Sequence, residues 1–246
     1  MKNKIPDFAY HMTKFFTEYL PIQRNLSPNS IATYRDTFRL LLLFYDTEKH
    51  IKPNLLTLDM LNVQEIEDFM LWLKKERNCG ASTCNQRLGA LKSFFRYLQF
   101  ALPDRALQCQ ENLAIRPMKQ SEPGLKYLTI DGIKLLLEQP DIKTKYGRRD
   151  LAILSLMYDT GARVQEIADI KIVHIRFSAP ATIRITGKGD KTRVVPLLSR
   201  TEDILKQYIK DFKIDAGGND AYLFQNRNGQ HLSRFGISYI LTKYAD

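Results

Sequence analysis

The sequence has no apolar run long enough to cross a bilayer: its longest, Leu40 to Tyr45, is a third of the roughly 20 residues that a spanning helix needs. Nor does the amino terminus, MKNKIPDFAYHMTKFF, carry the apolar stretch and small-residue cleavage site of a secretory signal. A cytoplasmic protein without membrane attachment is expected. Cysteine is scarce: Cys79, Cys84 and Cys109 cannot all pair, and no closely spaced histidine completes a zinc pattern around them. They read as reduced, structural thiols, and no metal or cofactor is expected. Internal repeats and low-complexity tracts are missing too. With 44% hydrophobic and 26% charged residues, collagen-like, disordered and disulfide-scaffold classes are excluded.

What is abundant is positive charge, with 37 Lys and Arg against 27 Asp and Glu, a formal balance of +10. Clustered cations raise the local potential and attract polyanions, so nucleic acid is the leading partner. A basic surface that is merely solvated is the alternative that charge alone leaves open.

Residues 1–102 read as helix after helix. Ser27-Pro28-Asn29-Ser30 supplies capping side chains and a first-turn proline, after which Ile31, Tyr34, Phe38, Leu41, Leu42 and Tyr45 recur at helical spacing. Val63, Ile66, Phe69, Met70 and Leu73 repeat the pattern, as do Leu88, Leu91, Phe94, Phe95 and Leu98. With a shorter amphipathic segment from Phe8 to Leu20, about four helices make a small bundle. Between 103 and 127, Pro103, Pro117, Pro123 and Gly124 sit among polar residues with no apolar periodicity, which predicts an interdomain linker. Residues 128–246 mix elements. Helices are predicted at Ile130 to Glu138, Arg149 to Tyr158, Val164 to Ile170, Glu202 to Phe212 and Arg234 to Tyr244, the last capped by Ser233. Ile183 and Ile185, the turn Gly187-Lys188-Gly189-Asp190, and Val194, Val195 and Leu197 predict a β-hairpin.

Three features could carry chemistry. Arg163 follows a tight Thr-Gly-Ala turn at a helix start, where free N–H groups and a guanidinium would favour a phosphate. A surface arginine paired with Glu166 or Asp169 is the plainer reading; in both, Glu166 lies one turn on and orients Arg163. Lys188 stands between two glycines at the hairpin tip, either poised to enter a groove or simply keeping the turn soluble. In the fourth helix Ser82, Thr83, Asn85, Arg87 and Lys92 alternate with the apolar face, a set suited to phosphate contacts along a duplex or to an ordinary solvated face. GKGDKT lacks the GxxxxGK[ST] spacing of a nucleotide-binding loop. His11, His50 and His174 show no ligand or triad spacing, and His231-Leu232-Ser233-Arg234 precedes a helix instead of lying in one.

Together these segments resemble the tyrosine recombinase (phage integrase) family, its Xer-like and transposon-encoded members above all. SPNSIATYRDTFRLLLLF and STCNQRLGALKSFFRYL are similar to its core-binding domain; LAILSLMYDTGARVQEIADI and ITGKGDKTRVVPL are similar to the first half of its catalytic domain. The resemblance implies a mainly α fold: a SAM-like four-helix core-binding domain, then a mixed α+β catalytic domain with a small hairpin or sheet. It implies that Arg163 is the first catalytic arginine, Glu166 its acidic support and Lys188 the hairpin lysine acting as general acid. The partners implied are double-stranded DNA and, on DNA, further copies of the chain in a homo-oligomer (tetramer). The family's tyrosine forms a 3′-phosphotyrosyl intermediate without ATP or metal. Its His-x-x-Arg box and nucleophile lie beyond the helix that LSRFGISYILTKYA resembles, so His231 and Arg234 are expected to be a decoy, Tyr239 and Tyr244 not the nucleophile, and these residues a catalytically inactive fragment of a longer recombinase. A non-catalytic DNA-binding protein on the same scaffold is the alternative.

Overall fold

A computed structural model describes residues 7–120, 127–214, 218 and 220–245. The chain forms two compact units, Met1–Gly124 and Leu125–Asp246. In the first, α1 (Phe8–Lys14) runs into a π-helical stretch, Phe15–Gln23, and is followed by α2 (Pro28–Glu48), α3 (Val63–Lys75), α4 (Ala81–Ala101) and α5 (Ala106–Ala114). Ser27 caps its helix as the sequence predicts, and Asn62 is a second cap that the structure adds. Ser27 Oγ accepts from the Ser30 N–H at 3.3 Å with Pro28 in the first turn, and Asn62 Oδ1 accepts from Glu65 N–H at 3.0 Å. Each satisfies a helix-end donor that has no intrahelical partner. Phe8, Phe15, Phe38 and Phe94 are buried together, with edge-on ring pairs Phe15–Phe94 at 5.1 Å and Phe38–Phe94 at 5.2 Å. Helical spacing puts these rings on one face of each element, and burying each is worth about 2–3 kcal/mol.

The fifth helix corrects the expected linker, since residues 103–118 belong to the first unit. Cys109, Asn112 and Ile115 are buried there. Polar side chains attach α5 to the turn before α3: Gln108 Nε2 donates to Leu58 O at 2.7 Å, Asn112 Nδ2 to Leu61 O at 3.0 Å, and Arg105 pairs with Asp7 and Asp59. A segment docked by amides and a guanidinium leaves little hydrophobic periodicity to read. The predicted linker residues 121–126 lie outside the described residues.

In the second unit α6 (Ile130–Glu138) and α7 (Lys145–Thr160) precede α8 (Val164–Ala168), a three-stranded antiparallel sheet in the order β1 (Ile175–Arg176), β2 (Thr182–Thr186), β3 (Thr192–Pro196), and then α9 (Ser199–Phe212) and α10 (Arg234–Ala245). Ile153, Leu156, Ile167, Ile183, Ile185, Tyr208, Phe224 and Ile237 form its core. Ser233 Oγ accepts from Gly236 N–H at 3.4 Å, at the predicted start of α10. Among the described residues no helix is long and apolar enough to cross a membrane.

Candidate functional site

α7 ends at Gly161, whose φ of +58° is a left-handed conformation that suits glycine. Two residues later the chain turns into α8 with Arg163 as N-cap. Glu166 reaches back one turn and takes Arg163 twice: its Oε2 accepts from the backbone N–H at 3.1 Å, and its Oε1 from Nη1 at 2.9 Å. Two backbone N–H groups just before this helix are engaged within the chain. Arg163 gives its amide to Glu166, Ala162 N–H bonds Thr160 Oγ1 at 3.3 Å, and α8 is only five residues long. The Arg163 guanidinium is 75% exposed and the carboxylate that holds it 4% exposed. Asp169, the other expected partner, is bonded by Gln165.

The hairpin meets the same carboxylate. Gly187 N–H donates to Lys191 O at 2.9 Å to close the loop, and Gly189 and Asp190 take φ of +74° and +56°. A side chain at Gly187 would put its Cβ 2.5 Å from Glu166 Oε1, so this glycine is needed for close approach. Lys188 is exposed at the tip and makes no hydrogen bond or ion pair among the described residues. From β3, Arg193 Nη2 donates to Glu166 Oε2 at 2.8 Å. Two arginines and a backbone amide thus share one buried carboxylate. The Arg193 bond is the largest influence holding the Glu166 carboxyl down at about 2, with both Arg163 bonds adding to it, against burial that pushes it up.

Arg193 is the residue that sequence reasoning missed. Its signal lay in the alternation of β3: Arg193 is in phase with the half-buried Val195 and sits opposite the buried Ile185, so an inward strand position holds a charge. A half-buried charge on an inward strand position is stabilised by a partner of opposite sign, and Glu166 is that partner.

In the first unit the five α4 residues separate. Ser82 is exposed and Thr83 half-buried in the first turn. Asn85 is engaged at both ends, Nδ2 donating to Met118 O at 2.9 Å and Oδ1 accepting from Met118 N–H at 2.8 Å. Lys92 Nζ donates to Ile115 O at 2.6 Å, and burial pulls its ammonium below the usual lysine range. Arg87 is half-buried, its Nε enclosed with no hydrogen-bond partner among the described residues.

The tempting His-x-x-Arg string goes elsewhere. His231 Nε2 lies 2.9 Å from Ala168 O, its ring 4.1 Å from that of Tyr222, and Arg234 stacks over Phe235. Burial pushes the Cys84 and Cys109 thiols up, consistent with inert structural cysteines. Among the described residues no group of three or more His, Cys, Asp or Glu could hold a metal ion.

Two family models match the chain, the phage integrase N-terminal SAM-like domain over residues 14–100 and the phage integrase family over residues 126–246. A Sinorhizobium fredii protein named as an integrase/recombinase, y4rC, is 34% identical over 233 residues, which cover 95% of this chain and 69% of that protein. Tyrosine recombinase XerD of Listeria innocua is 31% identical over 232 residues, 92% of this chain and 74% of the relative. Among solved structures, the Tn1549 transposon integrase in complex with transposon right end DNA shares the fold with a TM-score of 0.70 at 16% identity, over 94% of this chain and 77% of that one. A lambda integrase dimer bound to a core site gives 0.68 at 15% identity, over 97% and 77%.

Proposed function

Because this chain belongs to the phage integrase family of tyrosine recombinases, we propose that it recognises a specific duplex and that Arg163, Glu166 and Lys188 serve strand cleavage and rejoining through a 3′-phosphotyrosyl intermediate. One observation carries the reading: an exposed guanidinium, fixed by a buried carboxylate, beside a glycine-flanked hairpin that presents an exposed lysine. In the proposed step a tyrosine phenolate oxygen bonds to the scissile phosphorus as the bond to the 5′-oxygen breaks. Arg163 offsets the charge on the pentacoordinate phosphate, and Lys188 gives a proton to the departing 5′-oxygen. Reversal with a partner strand's 5′-hydroxyl rejoins the backbone, so the phosphodiester energy is kept in the covalent link.

Neither tyrosine of α10 is proposed as the nucleophile. Tyr244 donates to the buried Asp150 at 3.0 Å as part of the packing of α10 on α7, and exposed Tyr239 lies on the same helix. Nor are His231 and Arg234 proposed as the His-x-x-Arg box. Ser82, Thr83 and Arg87 are proposed as the DNA-facing set of α4, with further copies of the chain joining on the duplex as a tetramer.

The test is selection of bound duplexes from a random pool by the purified chain. Enrichment of a defined sequence supports site-specific recognition, with inverted half-sites if two copies bind symmetrically. Retention of all duplexes alike contradicts it.

A further inference from the structure

Glu166 poses an electrostatic problem for the site it supports. A carboxylate bonded to a phosphate-binding guanidinium cancels the charge that the guanidinium is there to supply. If Arg163 were its only cation, the pair would be neutral and a phosphate would meet a dipole in place of a charge. Arg193 removes the conflict. It bonds Glu166 Oε2 at 2.8 Å and is 39% exposed, while Arg163 is the more exposed of the two and uses a single guanidinium nitrogen on Oε1. Two guanidiniums on one carboxylate sum to one positive charge, and the geometry leaves it on the side of Arg163.

The same bond has a mechanical consequence. Arg193 lies on β3 directly opposite Ile185 of β2, and Gly187 rests against Glu166 Oε1. The carboxylate therefore touches the helix that carries Arg163, the strand that follows the hairpin and the base of the hairpin itself.

We propose that Arg193 is a positioning residue that acts through Glu166: it takes up the carboxylate's charge so that Arg163 keeps a whole positive charge for a phosphate, and it ties the Lys188 hairpin to the helix bearing Arg163. This rests on the assignment of Arg163 as a phosphate-binding group, and Arg193 is not itself assigned a contact with DNA.

The experiment compares duplex affinity at fixed low salt for the 246-residue chain and its variants Arg163→Gln, Arg193→Gln, Glu166→Gln and Arg193→Gln/Glu166→Gln, with folding checked by circular dichroism. Arg193→Gln is expected to weaken binding about fivefold, much as Arg163→Gln does, on the scale of one lost phosphate contact. Adding Glu166→Gln to Arg193→Gln is expected to restore most of that loss, because Arg163 is no longer neutralised. An Arg193→Gln/Glu166→Gln variant as weak as Arg193→Gln overturns the proposal. Should Arg193→Gln fail to fold, the double variant, which buries no unpaired carboxylate, decides: binding close to that of the parent chain supports the proposal, and a loss equal to that of Arg163→Gln overturns it.

If Arg163→Gln leaves binding unchanged, the phosphate-binding assignment fails, and the role of Arg193 is then decided by NMR on the same chain. Arg193→Gln should raise the titration midpoint of the Glu166 carboxyl and speed exchange of the Gly187 amide. Unchanged values for both overturn the proposal.

Discussion

Asn85 and Met118 are joined as two strands would be, the side-chain amide of one donating to and accepting from the backbone of the other, 33 positions along the chain. The contact closes the stretch after α5 onto α4, with Lys92 Nζ on Ile115 O as a second fastening. Asn85 and Lys92 thus have structural work in the free chain, whatever phosphates they meet.

Replacing Asn85 with Ala should destabilise the first unit by about 1–2 kcal/mol, the usual cost of stranding partly buried backbone groups. It should leave the salt dependence of DNA binding unchanged. Arg87→Ala, by contrast, should reduce the salt slope by about one. Thermal melts and affinity titrations at several salt concentrations check both; a reduced slope for Asn85→Ala would make it a phosphate contact after all.

Glu166 makes stability depend on pH. Its carboxyl is lowered from 4.5 to about 2 in the folded chain, chiefly by Arg193. A depressed carboxyl contributes stability that is fully present above its unfolded value and is lost as pH falls through the folded one. Glu166→Gln should therefore cost on the order of 1–2 kcal/mol above pH 5, and the gap should close between about pH 4.5 and 2. Parallel denaturant titrations across that range give the answer, and a gap independent of pH would point to packing alone.

For DNA binding by the whole chain, log affinity should fall with log salt at about −0.9 per neutralised phosphate. Removing residues 1–124 should weaken binding, because two linked binding units gain from effective concentration. The cut belongs at 124 and not at 102, since α5 packs with the first unit. Salt-independent binding, or equal affinity of the shortened chain, would contradict these expectations.

Incubated with a nicked suicide duplex, the 246-residue chain should form no covalent protein–DNA adduct. The readout is a gel under denaturing conditions followed by peptide mapping. An adduct at Tyr239 or Tyr244 would reassign the nucleophile to α10.

In a recombinase that carries these residues together with its nucleophile, Arg163→Ala should slow cleavage about 10²–10³-fold, the typical cost of one transition-state donor. Lys188→Ala should also be slow on ordinary DNA, yet recover when the leaving 5′-oxygen is sulfur, because a thiolate departs without a proton. Single-turnover cleavage of both substrates separates the two. Rescue of both variants, or of neither, would leave Lys188 as a DNA-positioning group and not the acid.

The sequence by itself determined what short range decides: the helices, through apolar spacing and the caps Ser27 and Ser233; the hairpin, through alternation around Gly187 and Gly189; and the pairing of Arg163 with Glu166, three residues apart on one helical turn. These follow from backbone geometry within a few residues, so pattern suffices to find them. Tertiary structure alone decided that α5 joins the bundle through amides, that Asn85 and Lys92 hold the following segment, and that Arg193 completes the Glu166 cluster from 27 positions away. A polar group shows its chemistry in its letter but not its partner, because the partner is whatever folding brings within hydrogen-bond reach once water is excluded.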